Sequence, residues 1–286
     1  MTQKIAVAII HGAGTPDENF AEALIERVKK EFAVKLSIPN AEDELEFQPI
    51  FWSAIFESEQ KKMWEQLQES AQLDFPYLRR FVLEFLADAV AYQPTLLGDQ
   101  NYHHVHSLVA SSLQHLRKRA GSLAPLCIIS HSLGTVVASN YFFDLQFRRE
   151  QIGDKTRQCM GETPMEQCET LTLFYTMGSP LALWSLRYLD FGSPIHVPSP
   201  LISDHYPNVE GEWVNFYDKD DILAYPLKGV NEAYQSAVTD DVAVNAGGCI
   251  TSWNPLSHGQ YEKDDVVVGR ITDGLVQIWK AINMAG

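Results

Sequence analysis

Cysteine is scarce in this sequence. Only four cysteines occur among the 286 residues, and no two of them form a CxxC pair. A disulfide scaffold or a structural zinc site needs cysteines at closer spacing, so neither is predicted. Cys159 and Cys168 flank a polar stretch and could form a bridge in an oxidising compartment, but reduced thiols are the expectation.

Long hydrophobic runs are also lacking. The apolar run at 5–10 has six residues, and no small-residue cleavage signal follows it. A membrane-spanning helix needs about 20 apolar residues, and a signal peptide needs a longer apolar region with a cleavage site behind it. We therefore expect a cytoplasmic protein that does not insert stably into a membrane.

Positively charged residues are few relative to negatively charged ones. The chain has 22 Lys and Arg against 37 Asp and Glu, which gives a formal net charge of −15 and a pI of about 4.9. Such a field repels phosphate backbones and anionic lipid surfaces, so nucleic acid is not expected as a partner. Hydrophobic residues make up 45% and charged residues 21% of the chain, values typical of a folded globular protein.

The organisation of the chain favours one domain covering residues 1–286. No internal repeat, low-complexity tract or long Pro/Gly/Ser linker divides the sequence. Short apolar runs alternate with longer stretches of helical period, which is typical of an α/β fold with parallel strands joined by crossover helices. The predicted strands are 5–10, 47–52, 126–130, 171–176 and 213–217.

Two stretches have the spacing of amphipathic helices, with apolar residues three or four positions apart. They contain Val105, Leu108, Val109, Leu113 and Leu116 in one helix, and Ile271, Leu275, Ile278 and Ile282 in the other. Basic residues followed by Gly121 predict where the first of these helices ends.

The segment 53–97 is longer than a simple crossover needs. It contains two further helical patterns, around Met63 to Leu67 and around Leu78 to Ala89. Two interpretations remain open: extra helices packed on the sheet, or a helical insertion whose aromatic face forms a cap over a pocket.

The sequence LCIISHSLGTVVASN at 126–140 has the features of a nucleophile elbow. A buried strand leads into Ser132, and an apolar helix follows directly. The turn is so tight that the central residue takes strained backbone angles and the residues two before and two after it must be small. Ser130 and Gly134 meet this requirement, with Ser130 in place of the usual glycine. The helix amino end then directs backbone amides, that of Leu133 first, at a developing negative charge.

The sequence HGAG at 11–14 follows the first predicted strand. Its glycines allow backbone amides to turn toward an oxyanion, so the Ala13 amide is expected to donate a second hydrogen bond opposite Leu133. Phosphate binding by these glycines is not expected, because neither G-x-G-x-x-G nor a Lys-Ser/Thr pair follows. An ordinary turn is the alternative.

These motifs together resemble the α/β-hydrolases, and among them the lipase- and esterase-like bacterial hydrolases. The resemblance covers most of the chain and depends on HGAG at 11–14, SHSLG at 130–134, an Asp-rich turn after a later strand and a histidine near the end. It implies a mostly parallel central sheet flanked by helices. It also implies a serine nucleophile, a histidine base and an acidic residue that orients the histidine, in the order Ser, Asp, His.

The resemblance also indicates which residues would act with Ser132. His258, in the turn-forming segment NPLSHGQY ahead of the final helix and followed by Tyr261, corresponds to the histidine base. The acid corresponds to Asp221, which precedes two aliphatic residues and, soon after, a proline. Asp218 is the alternative acid and Asp220 a third candidate.

Other candidate residues are assigned structural roles. His131 is expected to pack or line the site, because adjacent residues of an elbow point in different directions. The cluster His103, His104 and His106 has no acidic or thiol partner at ligand spacing, so no metal site is predicted. Ser179 also follows a predicted strand, but Pro180 indicates a structural turn.

The sequence therefore predicts a serine hydrolase that cleaves a carboxylic ester through an acyl-enzyme intermediate, with no cofactor or metal. Its expected partner is a small-molecule or lipid-like ester substrate. An acyltransferase or thioesterase could use the same residues. A hydrolase-fold protein that binds an acyl ligand without turnover is the alternative from another class.

Overall fold

The central sheet consists of parallel strands. A computed structural model describes residues 2–14, 16–94, 101–246 and 258–284, without the side chains of residues 77, 81 and 84. Within these residues the sheet has six strands, all parallel, in the order β2-β1-β3-β4-β5-β6. The strands are Ile5–Ile10 (β1), Leu45–Ile50 (β2), Leu126–His131 (β3), Leu171–Met177 (β4), Glu212–Asp218 (β5) and Asp240–Val244 (β6).

Helices connect the strands and cover the sheet. They are Glu22–Leu36 (α1), Glu57–Ser70 (α2), Pro76–Tyr92 (α3), Asn101–Ala120 (α4), Leu133–Phe147 (α5), Asp154–Cys159 (α6), Leu181–Ser185 (α7), Ile202–His205 (α8), Glu232–Ala237 (α9) and Asp265–Asn283 (α10). None of these helices combines the length and the apolar composition that crossing a membrane requires.

Strand β1 illustrates why the sheet is buried on both faces. Its sequence is IAVAII, and every residue of it is buried. Because successive side chains of a strand point to opposite faces, Ala6 and Ala8 pack in one core cluster with α4 and α5, whereas Ile5 and Val7 pack in a second cluster with α1 and α10. The sheet is thus the middle layer of three.

The α/β prediction is confirmed, and the sheet is entirely rather than mostly parallel in the described part of the chain. All five predicted strands are present, but the second was placed two residues too late, since β2 begins at Leu45 and ends at Ile50. Strand β6 was not predicted. Its sequence DDVAV has only five residues, and as an edge strand it is partly exposed, so it lacks the apolar run that marks the other strands.

The predicted helical stripes are largely confirmed. Val105, Leu113 and Leu116 of α4 are buried, but Leu108 is 37% exposed and does not belong to the buried face. The helix ends at Ala120, as predicted from Gly121, whose φ is 107°. The thiols of Cys127, Cys159 and Cys168 are free. Cys249 lies outside the described residues.

The two helical patterns of segment 53–97 correspond to α2 and α3. At its carboxyl end α3 packs against α4, where Ala89 and Tyr92 share a core cluster with Tyr102 and Val105. Elsewhere the two helices expose large apolar side chains and form a groove of about 790 Å³, which we term the α2–α3 groove. The exposed side chains are Met63, Leu67, Phe75, Leu78, Val82, Leu86 and Val90.

The strand order creates a crevice at the carboxyl ends of β1 and β3. Strands β1 and β3 are neighbours, but the chain continues from β1 to β2 toward one edge of the sheet and from β3 to β4 toward the opposite edge. Ligands of open α/β sheets bind where the connections of neighbouring strands diverge in this way. The segments that directly follow β1 and β3 contain the HGAG sequence and Ser132.

Candidate active site

The turn from β3 to α5 holds Ser132 in a strained conformation. Its φ is 50° and its ψ is −129°, a region that costs a non-glycine residue about 1–3 kcal/mol. Gly134 makes the turn possible: a Cβ at this position would lie 2.2 Å from the carbonyl oxygen of His11. Only glycine allows the amino end of α5 to approach the segment after β1 this closely.

Ser132, His258 and Asp221 are brought together by three distant segments. The Ser132 hydroxyl lies 2.6 Å from His258 Nε2, and His258 Nδ1 lies 2.7 Å from Asp221 Oδ2. The three residues are only 2%, 6% and 4% exposed. In the neutral tautomer, His258 Nδ1–H donates to the Asp221 carboxylate and Nε2 accepts from the serine hydroxyl, which is the arrangement a general base requires.

Asp221 is held by more than the histidine. It accepts hydrogen bonds from the Tyr261 hydroxyl at 2.8 Å and from the Leu223 amide at 3.0 Å. Burial alone would raise its pKa, but the hydrogen bonds and the charge interaction with His258 outweigh this effect and lower the pKa below its ordinary value. The carboxylate is therefore ionised at neutral pH.

The two competing aspartates lie in different environments. Asp218 is buried and accepts the backbone amides of Asp220 at 2.9 Å and Ala246 at 2.6 Å, so its carboxylate stabilises the turn after β5. Asp220 is exposed. Of the three candidate acids, Asp221 is the one that the structure places against His258.

The HGAG segment runs directly beside Ser132. A Cβ at Gly12 would lie 2.6 Å from Ser132 Cβ, so a larger residue does not fit there. His11 fixes the backbone: its Nδ1–H donates to the Gly12 carbonyl at 2.7 Å, and its Nε2 accepts the Trp52 amide at 3.1 Å. Burial lowers the pKa of His11 to about 4, so this histidine is neutral and structural.

Two backbone amides are available near Ser132. The amides of Ala13 and Leu133 have no hydrogen-bond partner among the residues that the structure describes. The next amide, that of Gly14, is already bonded to Asp88 Oδ2 at 2.7 Å. Both amides are thus available as donors, and their role as the oxyanion pair, Ala13 from the segment after β1 and Leu133 from the start of α5, stays a prediction.

His131 does not serve as a second base. Its Nε2–H donates to the carbonyl oxygen of His258 at 2.5 Å, which anchors the backbone of that residue. Burial lowers the pKa of His131 to about 3, and it remains neutral. The expectation that His131 packs at or lines the site is correct, and its specific contact with His258 is an addition.

Ser132 opens into a cleft of about 270 Å³. Aromatic rings of Phe20 and Phe85 line one part of the cleft, and Glu262 contributes a carboxyl group. Phe85 belongs to α3, so the segment predicted as a possible cap supplies at least one wall of the cleft. Whether α2 and α3 form a cap in the functional sense stays a prediction.

The residues assigned structural roles have partners of their own. Ser179 is fully buried, and its hydroxyl lies 2.9 Å from Thr135 Oγ1 and 3.2 Å from the Leu181 amide nitrogen. His106 contacts the Tyr92 hydroxyl at 2.8 Å, and burial lowers its pKa to about 3. Within the described ranges, no three His, Cys, Asp or Glu side chains are arranged to hold a metal ion.

Sequence reasoning missed two contributors to the site. Asp88 is fully buried and binds the Gly14 amide from α3, 74 residues away along the chain, and its only signal was an acid between alanines in the apolar second half of that helix. Gly178 has φ 58°, and a Cβ there would lie 3.0 Å from the Tyr261 ring and 3.2 Å from the His258 ring. The glycine in TMGSPL could have signalled this close approach.

Comparison of the sequence with protein-family models and with curated proteins finds no match. The function must therefore be inferred from the geometry and chemistry of the site.

Proposed function

We propose that this protein is a serine hydrolase with an α/β-hydrolase fold that cleaves carboxylic esters. The observation that carries the proposal is the continuous hydrogen-bonded relay from Ser132 Oγ through His258 to Asp221, with distances of 2.6 and 2.7 Å. The order of these residues along the chain, the strained serine and the parallel sheet all agree with it.

The reaction proceeds in two steps, acylation of Ser132 and hydrolysis of the acyl-enzyme. Ser132 Oγ attacks the ester carbonyl carbon while His258 Nε2 takes the hydroxyl proton, and His258 then gives this proton to the departing alcohol. The acyl group is left on Ser132. Water attacks the acyl-enzyme as His258 takes its proton, and the carboxylic acid leaves as the proton returns to Ser132 Oγ. The net reaction converts an ester and water into an acid and an alcohol.

The site distributes the charges that develop in this reaction. The ionised Asp221 stabilises the imidazolium form of His258 and fixes its orientation, with Tyr261 and the Leu223 amide holding the carboxylate in place. The negative oxygen of the tetrahedral intermediate would accept hydrogen bonds from the amides of Ala13 and Leu133.

The surroundings favour an ester with an apolar acyl group. Phe20 and Phe85 line the cleft, and Phe85 belongs to α3, the helix whose other residues line the α2–α3 groove. An acyl chain that leaves the small cleft along α3 would meet the apolar side chains of Val82 and Leu86. This supports a small-molecule or lipid-like ester as substrate.

A fluorophosphonate probe tests the proposal, because it phosphonylates an activated serine. We expect covalent labelling of the wild-type protein and of Ser179→Ala, and no labelling of Ser132→Ala. Ser179 is the matched control, since it too follows a buried strand in a glycine-containing turn. An unlabelled, folded wild-type protein that nevertheless binds acyl ligands would instead indicate the binding protein without turnover.

An ester series of increasing acyl length tests the substrate class. We expect kcat/KM to rise with chain length if the acyl group extends along α3, because each additional buried methylene contributes about 0.8 kcal/mol of transfer free energy. Leu86→Asp should remove this rise while short-chain activity is retained. Uniform activity with short chains only would indicate a shallow cleft.

Asp88 provides a prediction about the oxyanion site. Because its carboxylate binds the Gly14 amide and also the Gln60 side chain, it holds the turn that presents the neighbouring Ala13 amide. We expect Asp88→Ala to lower kcat by about 10²-fold, the effect of a small misplacement of catalytic groups, with a smaller change in KM. Steady-state kinetics of the purified variant measure this.

Gln60→Ala is the control for Asp88, since it removes the outer contact and leaves the bond between Asp88 and Gly14 in place. We expect its kcat to stay within a few-fold of the wild type. If Asp88→Ala changed KM alone, the carboxylate would serve substrate binding rather than the position of the turn.

Glu262 gives the cleft a pH-dependent charge. Burial raises the pKa of its carboxyl group to about 7, partly offset by Lys263, whereas His11 and His131 stay neutral at this pH. The group is thus uncharged in weak acid and negative in weak base. Above neutral pH it should repel an anionic acyl group, at a cost of about 1 kcal/mol or fivefold in kcat/KM for charges about 4 Å apart in water.

The measurement is the kcat/KM ratio for p-nitrophenyl hemisuccinate, which is anionic, over p-nitrophenyl butyrate, which is neutral. Effects on the catalytic groups that the two substrates share cancel in this ratio. We expect the ratio to fall as the pH rises through neutrality in the wild type and to stay constant in Glu262→Gln. A ratio that falls equally in both proteins would show that another group sets the charge of the cleft.

A further inference from the structure

A second cavity lies near the other end of α5. It has a volume of about 400 Å³ and is lined by α5, α7 and the turn that follows α7. A cavity of about 240 Å³ adjoins it and shares Arg148 and Arg187 with it. We term the two together the arginine cavity. Its lining has no residue in common with that of the Ser132 cleft. Helix α5, whose 15 residues span roughly 22 Å, separates Ser132 from Arg148.

Both arginines of the cavity lie over aromatic rings. The Arg148 guanidinium carbon is 5.0 Å from the ring centre of Phe143 and 5.8 Å from that of Tyr188. The Arg187 guanidinium carbon is 5.3 Å from the ring centre of Tyr188 and 5.5 Å from that of Trp184. Stacking on these rings fixes the two cations beside the same tyrosine and reduces the ordering that a ligand would have to impose.

Neither cation forms an ion pair with a carboxylate in the described part of the chain, although the charge of Arg148 lowers the pKa of Asp144. Arg187 donates to the side-chain oxygens of Gln93 at 3.0 Å and Asn140 at 3.3 Å, and both acceptors are uncharged. The Arg148 guanidinium has its ring contacts but neither a hydrogen bond nor an ion pair with any described residue. Asp144 lines the smaller cavity only and accepts from the Tyr102 hydroxyl at 2.8 Å. Burial raises the pKa of this carboxyl group to about 6, against the opposing effects of Tyr102 and Arg148, so it compensates Arg148 only in part near neutral pH.

Trp184 contributes an apolar wall to the arginine cavity. Its ring lines the larger cavity, and its Nε1–H is buried with no hydrogen-bond partner among the described residues. Because solvent does not reach this nitrogen, a molecule in the cavity would contact the indole ring rather than the N–H group.

We propose that the arginine cavity binds a small organic anion, with a carboxylate or phosphate group between Arg148 and Arg187 and a planar apolar body against the aromatic walls. Guanidinium groups match both oxyanions with paired hydrogen bonds. The volume of the larger cavity lies in the range of small-molecule sites. Since the whole chain carries a net charge of −15, its overall field disfavours anions, and the attraction must come from these two residues locally.

Calorimetric titration of the full chain with three naphthalene probes tests the proposal. The probes are 2-naphthoate, 2-naphthyl phosphate and the uncharged 2-naphthamide. We expect the better anion to bind at least about tenfold more tightly than the amide, as the charge-assisted hydrogen bonds predict, and to lose this advantage in high salt. The two anions distinguish the carboxylate from the phosphate. Because neither 2-naphthoate nor 2-naphthamide contains an ester bond, the result does not depend on the proposed hydrolysis.

Arginine variants locate the binding. Arg148→Gln and Arg187→Gln should each weaken the anion by about tenfold or more and leave the amide unchanged. Arg149→Gln is the matched control, because Arg149 changes the net charge equally but lines neither cavity, and its affinity should equal that of the wild type. Equal binding of anions and amide, no anion binding, or an equal loss in Arg149→Gln would each overturn the proposal. The probe comparison in the wild type decides the matter even if a variant fails to fold.

Discussion

Ser132→Ala should lower the turnover of an activated ester such as p-nitrophenyl butyrate by about 10³- to 10⁶-fold. The alanine retains Cβ but lacks the oxygen that lies 2.6 Å from His258 Nε2, so no acyl-enzyme can form. Residual hydrolysis would come from water activated in a site that still binds the ester and stabilises its oxyanion. Steady-state kinetics at substrate saturation measure the loss as a change in kcat.

Two controls make this result specific. Thermal unfolding should show that Ser132→Ala is folded. The substitution removes one hydrogen bond, and alanine, which like serine has a Cβ, takes the strained backbone conformation at a similar cost. The double variant Ser132→Ala/His258→Ala should be about as inactive as the single variant, because residues that act as a unit are not additive. Turnover within tenfold of the wild type in Ser132→Ala would place the nucleophile elsewhere.

Local sequence patterns predicted those parts of the molecule in which local chemistry dominates. The buried strand β1 and the elbow at Ser132 follow from apolar runs and from the small residues that a tight turn demands. Gly134 is such a residue, and its close approach to the His11 carbonyl supplies the physical reason. Parallel pairing then follows, because helices separate the strands along the chain.

The remaining features depend on contacts between distant segments. Three aspartates in one turn could not be ranked from turn chemistry alone, since aspartate is common in turns. The ranking used the family resemblance, and in the structure the Tyr261 hydroxyl, from a distant segment, also donates to Asp221. Asp88 reaches Gly14 only because α3 folds back over the segment after β1. Strand β6 lacked an apolar run because it lies at the edge of the sheet. Tertiary packing overrides local pattern in each case.

Asp221→Asn should lower kcat by about 10⁴-fold while the overall geometry is kept. The asparagine amide would direct a donor at the ring nitrogen that now donates to Asp221, so His258 would adopt the other tautomer. Its Nε2 would then carry a proton and could not accept one from Ser132. Loss of the negative charge also removes the stabilisation of the imidazolium that forms during the attack.

Asp218→Asn is the matched comparison, because Asp218 was the alternative acid and its carboxylate, among the described residues, accepts the backbone amides of Asp220 and Ala246 rather than a group of the relay. We expect its kcat to stay within about tenfold of the wild type, with a loss of stability of about 1–3 kcal/mol from the weakened turn. A larger loss of kcat in Asp218→Asn than in Asp221→Asn would reverse the assignment of the acid.

The pH dependence of stability tests whether the ionised Asp221, besides orienting His258, stabilises the folded protein. Its pKa in the folded protein is lowered, burial being outweighed by the hydrogen bonds from His258, Leu223 and Tyr261. The ionised carboxylate is therefore more stable in the folded protein than in the unfolded chain. This contribution to stability is fully present above the pKa of Asp221 in the unfolded chain, and it is lost as the pH falls through the pKa of Asp221 in the folded protein. Denaturant unfolding should show Asp221→Asn to be less stable than the wild type at neutral pH, with the difference shrinking in acid. A difference that is constant with pH would mean that the ionised carboxylate does not support the folded state, and the relay through His258 would lack its charged end.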